Sequence, residues 1–110
     1  MPKGLNELAT EINAWAETKG WNKDLVLGNQ VANFHTEISE AWEEIRNGHE
    51  IDETYKSDGG KPEGFGVELA DLIIRVLHTC GHYGIDIENL IELKMAYNQK
   101  RPYRHGGKVC

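Results

Sequence analysis

The stretch from Val67 to Leu77 limits what this chain can become more than any other. Wound as a helix, Val67, Leu69, Ala70, Leu72, Ile73, Ile74, Val76 and Leu77 go most of the way round it. Such a helix must be covered by other elements, because one apolar on nearly all sides is not stable facing water. The polar remainder, Glu68, Asp71, Arg75 and His78, forms one stripe within about 80° at the helical period. An aliphatic helix with a single acidic-to-basic stripe resembles the wall of a site more than a solvent face. This helix is expected from roughly Glu63 to His82, with Arg75 one turn after Asp71 and pairing with it.

The rest of the chain supplies helices to surround it. Leu5, Leu8, Ile12 and Trp15 recur at helical spacing with Ala9 and Ala16 beside them, and Gly20 is a natural stop. A second helix is expected from about residue 27 to Asn47, ending at Gly48, with Leu27, Val31, Phe34, Ile38, Ala41, Trp42 and Ile45 as its apolar stripe. Asp86 is a candidate N-cap for a fourth helix, whose apolar side is Ile87, Leu90, Ile91 and Met95 and which Pro102 ends. Residues 48–66, with five Gly and one Pro, read as a long loop; loops of that length in small domains are often functional. No strand-like alternation, internal repeat or low-complexity segment is visible. The expectation is an all-α fold, a single domain over residues 1–110, built as a four-helix-type bundle of antiparallel helices and completed by oligomerisation.

Two acidic pairs share one spacing. Glu37 and Glu40 lie in FHTEISEAWEE, and Glu68 and Asp71 lie in GVELADLIIRVLH. A spacing of three puts both members of a pair on one helical face. If the two helices fold back on one another, four carboxylates converge, and they repel unless a cation neutralises them. Carboxylate oxygens are what Mg²⁺, Mn²⁺ or Ca²⁺ prefer. Glu44 falls in the same sector as Glu37 and Glu40, beside the apolar stripe and not opposite it, where charges wholly for solvent would more often sit.

Charge and composition narrow the classes further. The chain has 18 acidic and 12 basic residues and a net charge of −6, which argues against sequence-independent nucleic-acid binding. The start lacks the apolar core of a signal peptide, and no run approaches the length needed to span a bilayer; a soluble cytoplasmic protein with no membrane partner is expected. Cys80 and Cys110 make no disulfide framework, and Cys80 reads as a small buried residue. Trp21 either fills the edge of the core or stacks on a planar ligand. Lys56 and Lys61 read as surface lysines that could approach an anionic substrate. The basic end of the chain, with Lys94, Asn98, Arg101, Arg104 and Lys108, offers donors suited to phosphate oxygens or, alternatively, cations that favour a helix C-terminus.

Glu37-Ile-Ser-Glu40, twenty-seven intervening residues, Glu68-Leu-Ala-Asp71 and the later KMAYNQKRPYRHGGK together carry a resemblance. The sequence resembles the MazG-like members of the all-α nucleoside triphosphate pyrophosphohydrolase superfamily over roughly residues 5–108. The resemblance implies metal-dependent hydrolysis of (deoxy)nucleoside triphosphates between the α- and β-phosphates, giving the monophosphate and pyrophosphate. It implies Mg²⁺, with Mn²⁺ as a substitute, and a homodimer or homotetramer. By position, Glu37, Glu40, Glu68 and Asp71 would be the metal ligands and catalytic carboxylates, with Glu44 an extra ligand or water-orienting base. Lys94, Asn98 and Arg101 look like phosphate-binding positions, Arg104 is a further donor, and Trp21 and Asn33 are weaker choices for base or sugar. The alternatives are a non-catalytic nucleotide- or metal-binding helical module, a structural bundle with decorative acids, or a related pyrophosphohydrolase acting on dUTP or phosphoribosyl-ATP.

Overall fold

A computed structural model describes residues 3–103. Four α-helices dominate them: α1 (Leu5–Thr18), α2 (Leu27–Arg46), α3 (Phe65–Tyr83) and α4 (Ile87–Gln99). The expected all-α character holds, with one addition. Inside the long loop, Tyr55–Lys56 (β1) and Pro62–Glu63 (β2) form a two-stranded antiparallel hairpin around a single helical turn at Asp58–Gly60. Strands this short leave no alternation to read in a sequence, so the hairpin was not foreseen. Among the described residues no helix is long and apolar enough to cross a membrane.

The helix ends follow local chemistry. Gly20 and Gly48 adopt positive φ, 74° and 84°, and stop α1 and α2 where a left-handed residue is needed. Asp86 caps α4, its side chain accepting from the Asn89 backbone N–H at 3.2 Å. Asn6 of α1 donates to the same Asp86 carboxylate at 2.7 Å and accepts from the Glu88 backbone N–H at 3.2 Å, tying α1 to the start of α4.

Helix α3 is the centre of the chain, with α1 and α2 both packed against it and α4 resting mainly on α1. The α1–α3 seam is a small apolar core of Ala9, Leu77 and Cys80, flanked by Leu8, Ile12, Val76 and Ile87. Cys80 is buried there as a free thiol, as expected. Gly81 completes the seam, since a Cβ at that position would lie 2.2 Å from the Ala9 carbonyl oxygen. On the other side, Arg75 meets Glu37 while Glu68 groups with Glu44, so α3 and α2 run in opposite directions.

Two packing expectations are corrected. Helix α3 is not sheathed all round, because Leu69, Ile73 and Ile74 are 40–52% exposed. The expected core stripe of α2 is split: Ala41 is buried and Phe34 half-buried at the cavity wall, but Leu27, Val31, Ile38, Trp42 and Ile45 are exposed, and Glu37 and Glu44 are buried beside Ala41 instead. Glu37 and Glu44 therefore share the face toward α3 with Ala41, and most of the large apolar side chains of the helix point away from it. Since α2 and α3 run oppositely, their wheels put Ile38, Trp42 and Ile45 on the same side of the pair as Leu69 and Ile73. Among the described residues the four helices do not close round a common core.

Candidate metal and nucleotide site

The acidic seam between α2 and α3 brings together much of what the spacing indicated. Ligand oxygens of Glu37, Glu40 and Glu68 lie within 4.8 Å of one another. Glu37 and Glu68 are each only 5% exposed, and Glu40 is open to solvent. Oε2 of Glu37 and Oε2 of Glu68 are buried without a hydrogen-bond partner. An unpartnered buried carboxylate oxygen is costly, and the cost is removed by a cation or a donor placed against it. Burial, followed by its neighbours Glu40, Asp71 and Glu37, pushes the Glu68 carboxyl from 4.5 up to about 7. The set is all oxygen and acidic, which suits a hard divalent cation such as Mg²⁺ or Mn²⁺.

Asp71 stands apart from that triad, on the wall of an adjoining cavity together with Glu37. Burial and the Glu37 charge raise its pKa, and Arg75 opposes the shift. The expected Asp71–Arg75 ion pair gives way to a different one. Arg75 Nε donates to Glu37 Oε1 at 2.6 Å, across the seam and not along the helix. That contact satisfies one oxygen of Glu37 and leaves the other free.

The cavity has a volume of about 610 Å³ and extends from Glu37, Asp71 and Arg75 to Trp15 and Trp21. The two indoles meet edge to face, centroids 4.7 Å apart. Trp21 is 56% exposed, so it borders the cavity as an open aromatic edge and is not plugged into the core. Asn29, Gln30 and Asn33 contribute amides from one face of α2, and Gln30 Oε1 is buried with no partner. His78, also on the wall, donates from Nε2 to Asn22 Oδ1 at 2.6 Å, while Asn22 Nδ2 donates to Asn13 Oδ1 at 3.0 Å and to Glu17 at 2.8 Å. Aromatic faces, amides and nearby carboxylates are the usual lining of a small-molecule site.

The basic residues of α4 are placed elsewhere. Neither Lys94, Asn98 nor Arg101 lines the cavity, and Lys94 lies over the Tyr97 ring at 4.9 Å. The cations at the cavity wall are Arg75 and Lys23. Arg104 lies outside the described residues.

Sequence reasoning missed three residues that border the site. Gln30 was hidden among the polar positions of α2. Glu63 and Tyr55 come from the hairpin: Glu44, Glu63 and Glu68 form a second group of carboxylates within 4.8 Å, and the Tyr55 hydroxyl donates to both oxygens of Glu44 at 3.0 and 2.9 Å. A hydrogen bond to Glu44 raises the Tyr55 phenol to about 12, keeping it a donor. No protein-family model, curated protein or solved structure matches this chain.

Proposed function

We propose that this protein is a metal-dependent nucleoside triphosphate pyrophosphohydrolase whose cation is held by Glu37, Glu40 and Glu68. The observation that carries the reading is the pair of buried, unpartnered carboxylate oxygens on Glu37 and Glu68, beside a cavity with an indole at its edge. A structural seam between two helices would not retain such oxygens, because apolar replacement of buried charge is commonly neutral or stabilising. Bound Mg²⁺ would supply charge neutralisation on the phosphates and a more acidic water.

The chain's own residues have distinct tasks in this reading. Asp71, at the cavity wall, orients the water that attacks the α-phosphorus and accepts its proton. The bond from the α-phosphorus to the bridging oxygen breaks, and pyrophosphate leaves with that oxygen. Arg75, once a cation shares Glu37, is free to donate to phosphate oxygens. Trp21 stacks on the base, and Asn33 and Gln30 hydrogen-bond to base or sugar. A second copy covers the outward apolar side formed by Ile38, Trp42, Ile45, Leu69 and Ile73, which completes a helical bundle as a homodimer or a homotetramer built from it. Nucleoside triphosphates being intracellular metabolites, the reading places the protein in the cytoplasm.

A second reading, a nucleotide- or metal-binding module without turnover, is favoured by one observation: the phosphate donors that the resemblance assigns to α4 do not line the cavity. One assay decides between them. The purified protein is incubated with each (d)NTP, with Mg²⁺ or EDTA, and the products are resolved. Monophosphate plus pyrophosphate, dependent on the metal, is the expected result. Glu40→Gln and Asp71→Asn should each lower the rate by at least about 100-fold while keeping the native melting temperature. Diphosphate plus orthophosphate would overturn the bond assigned, and bound but intact nucleotide would favour the second reading.

A further inference from the structure

Among the described residues, two polar atoms on the wall of the cavity are buried without a hydrogen-bond partner, Oε2 of Glu37 and Oε1 of Gln30. The first belongs to the acidic seam and is explained by a cation there. The second has no such explanation. Gln30 is half-buried, whereas Asn29 and Asn33 on the same wall are exposed and open to water. A neutral amide oxygen cut off from both water and donors is unfavourable. A Leu or Met of similar volume would fill the same space without that cost.

Helix α2 acts as a ruler between these two positions. Gln30 and Glu37 both lie within it, about 20° apart round the axis and about 10 Å apart along it. Asn33 lies between them, about 6 Å along the axis from Glu37. A nucleotide is ordered in the same sense, phosphate first, then sugar, then a base whose hydrogen-bonding edge is farthest from the phosphate. With the phosphates at Glu37 and Arg75, Asn33 stands level with the sugar and Gln30 level with the base edge. Trp21 cannot distinguish bases by stacking, because every base has an aromatic face. The choice among them falls to a hydrogen-bonding group, and a Gln amide offers an acceptor and a donor side by side.

We propose that Gln30 is the residue that reads the base: its Oε1 accepts an N–H from the Watson–Crick edge, and its Nε2 donates to the neighbouring ring nitrogen or carbonyl oxygen. The inference rests on the reading of this cavity as a nucleotide site and assigns Gln30 to the base, leaving the sugar to Asn33. Adenine and cytosine offer the pair as an amino group beside a ring nitrogen. Guanine, uracil and thymine offer it as a ring N–H beside a carbonyl. The ligand class admitted is a nucleotide whose base carries an N–H on that edge. A base without one leaves Oε1 unpartnered in the complex, and sites built to hydrogen-bond a substrate group reject the analogue that lacks it.

The test measures binding to the full-length protein by calorimetry with Mg²⁺, using α,β-methylene triphosphates that cannot be cleaved at that bond. The natural base that binds tightest is compared with its stripped counterpart: purine for adenine or guanine, pyrimidin-2-one for cytosine, uracil or thymine. Neither counterpart has an N–H on the edge. The wild-type protein should bind the stripped analogue at least about tenfold more weakly. Gln30→Leu should bring the two within about threefold and melt no lower than the wild type, since it removes an unpartnered buried oxygen. Gln30→Glu should raise the guanine-to-adenine affinity ratio by about tenfold, because a carboxylate accepts from both the ring N–H and the amino group of guanine. Equal wild-type binding of the stripped analogue, undiminished discrimination in Gln30→Leu, or an unmoved guanine ratio in Gln30→Glu would each overturn the assignment. So would a Gln30→Leu variant that loses only a preference between ribose and deoxyribose. Failure of every nucleotide to bind would overturn the pyrophosphohydrolase reading with it, whereas discrimination through Gln30 without hydrolysis of the natural triphosphates would overturn that reading alone.

Discussion

The seam between α1 and α3 closes on Ala9, Leu77, Cys80 and the bare backbone of Gly81, whereas the seam between α2 and α3 closes on Glu37, Glu44 and Glu68. Both are built on the same helix. The first gains free energy from apolar burial and close approach. The second buries charge, which lowers stability unless it is compensated, and within the chain Arg75 and Tyr55 compensate it only in part. A helix with one side given to cohesion and the other to a seam where Glu37 and Glu68 each keep a buried, unpartnered oxygen is arranged for binding, and its two sides should respond to perturbation with opposite sign.

Filling the apolar seam should give the largest effect. Gly81→Val places a branched Cβ against the Ala9 carbonyl, and neither backbone can yield easily. A loss on the order of 3 kcal/mol in chemical denaturation is expected, and a variant of native stability would break the account of that seam. Next in size is the outer side of α2. Trp42→Lys should weaken self-association by about 2 kcal/mol, roughly 30-fold in the dissociation constant, while the helical content is kept. Light scattering across a dilution series measures it, and a wild-type protein that is monomeric at every concentration would remove the second copy from the proposal.

The smallest effect, and the one of opposite sign, concerns Glu68. Its folded pKa of about 7 lies above its ordinary value of 4.5. Between these values the folded state holds a proton that the unfolded state has lost. Without divalent ions, the Glu68 contribution to stability should therefore fall as pH rises from about 4.5 to about 7 and level off above. Mg²⁺, which binds the ionised form, should oppose that fall at the upper end. Glu68→Gln should flatten the slope and stabilise the metal-free protein at pH 8 by on the order of 1 kcal/mol. Melting temperatures of the two proteins across the pH range, with EDTA or Mg²⁺, provide the check. Destabilisation by Glu68→Gln under EDTA would show that the acidic seam is cohesive after all.

What the sequence revealed depended on period. Glu37, Glu40, Glu44 and Glu68 sit on helices with regular spacing, so their shared sectors are legible from residue numbers alone, and three of them do meet at the first group. The side chains of α2 were located correctly around its axis, and Phe34 and Ala41 are covered as expected, yet the other five residues of the stripe face outward. Apolar periodicity reports that a stripe needs covering but not which element covers it, and here α3 covers the acids. Glu63 and Tyr55 were invisible for another reason. They meet Glu44 through a two-residue ladder and a glycine turn, and neither leaves a period to detect. Asp71 and Arg75 satisfied the rule for neighbours along a helix, but Glu37 from α2 gave Arg75 a closer partner.

The division of α3 between two neighbours also restricts how its length can vary. Each residue advances the helix by about 100°, so Leu77, Cys80 and Gly81 face α1 only because the number of residues separating them from Glu68 is fixed. Deleting or inserting one residue between Asp71 and Leu77 would turn the two halves against each other by about 100°. The chain would then have to choose between a carboxylate aimed into the Ala9 seam and an alkyl side chain aimed at Glu37. Surface loops elsewhere can gain or lose residues at modest cost. This helix cannot, and the spacer from Glu68 to Gly81 is as fixed a property of the protein as any single side chain in it.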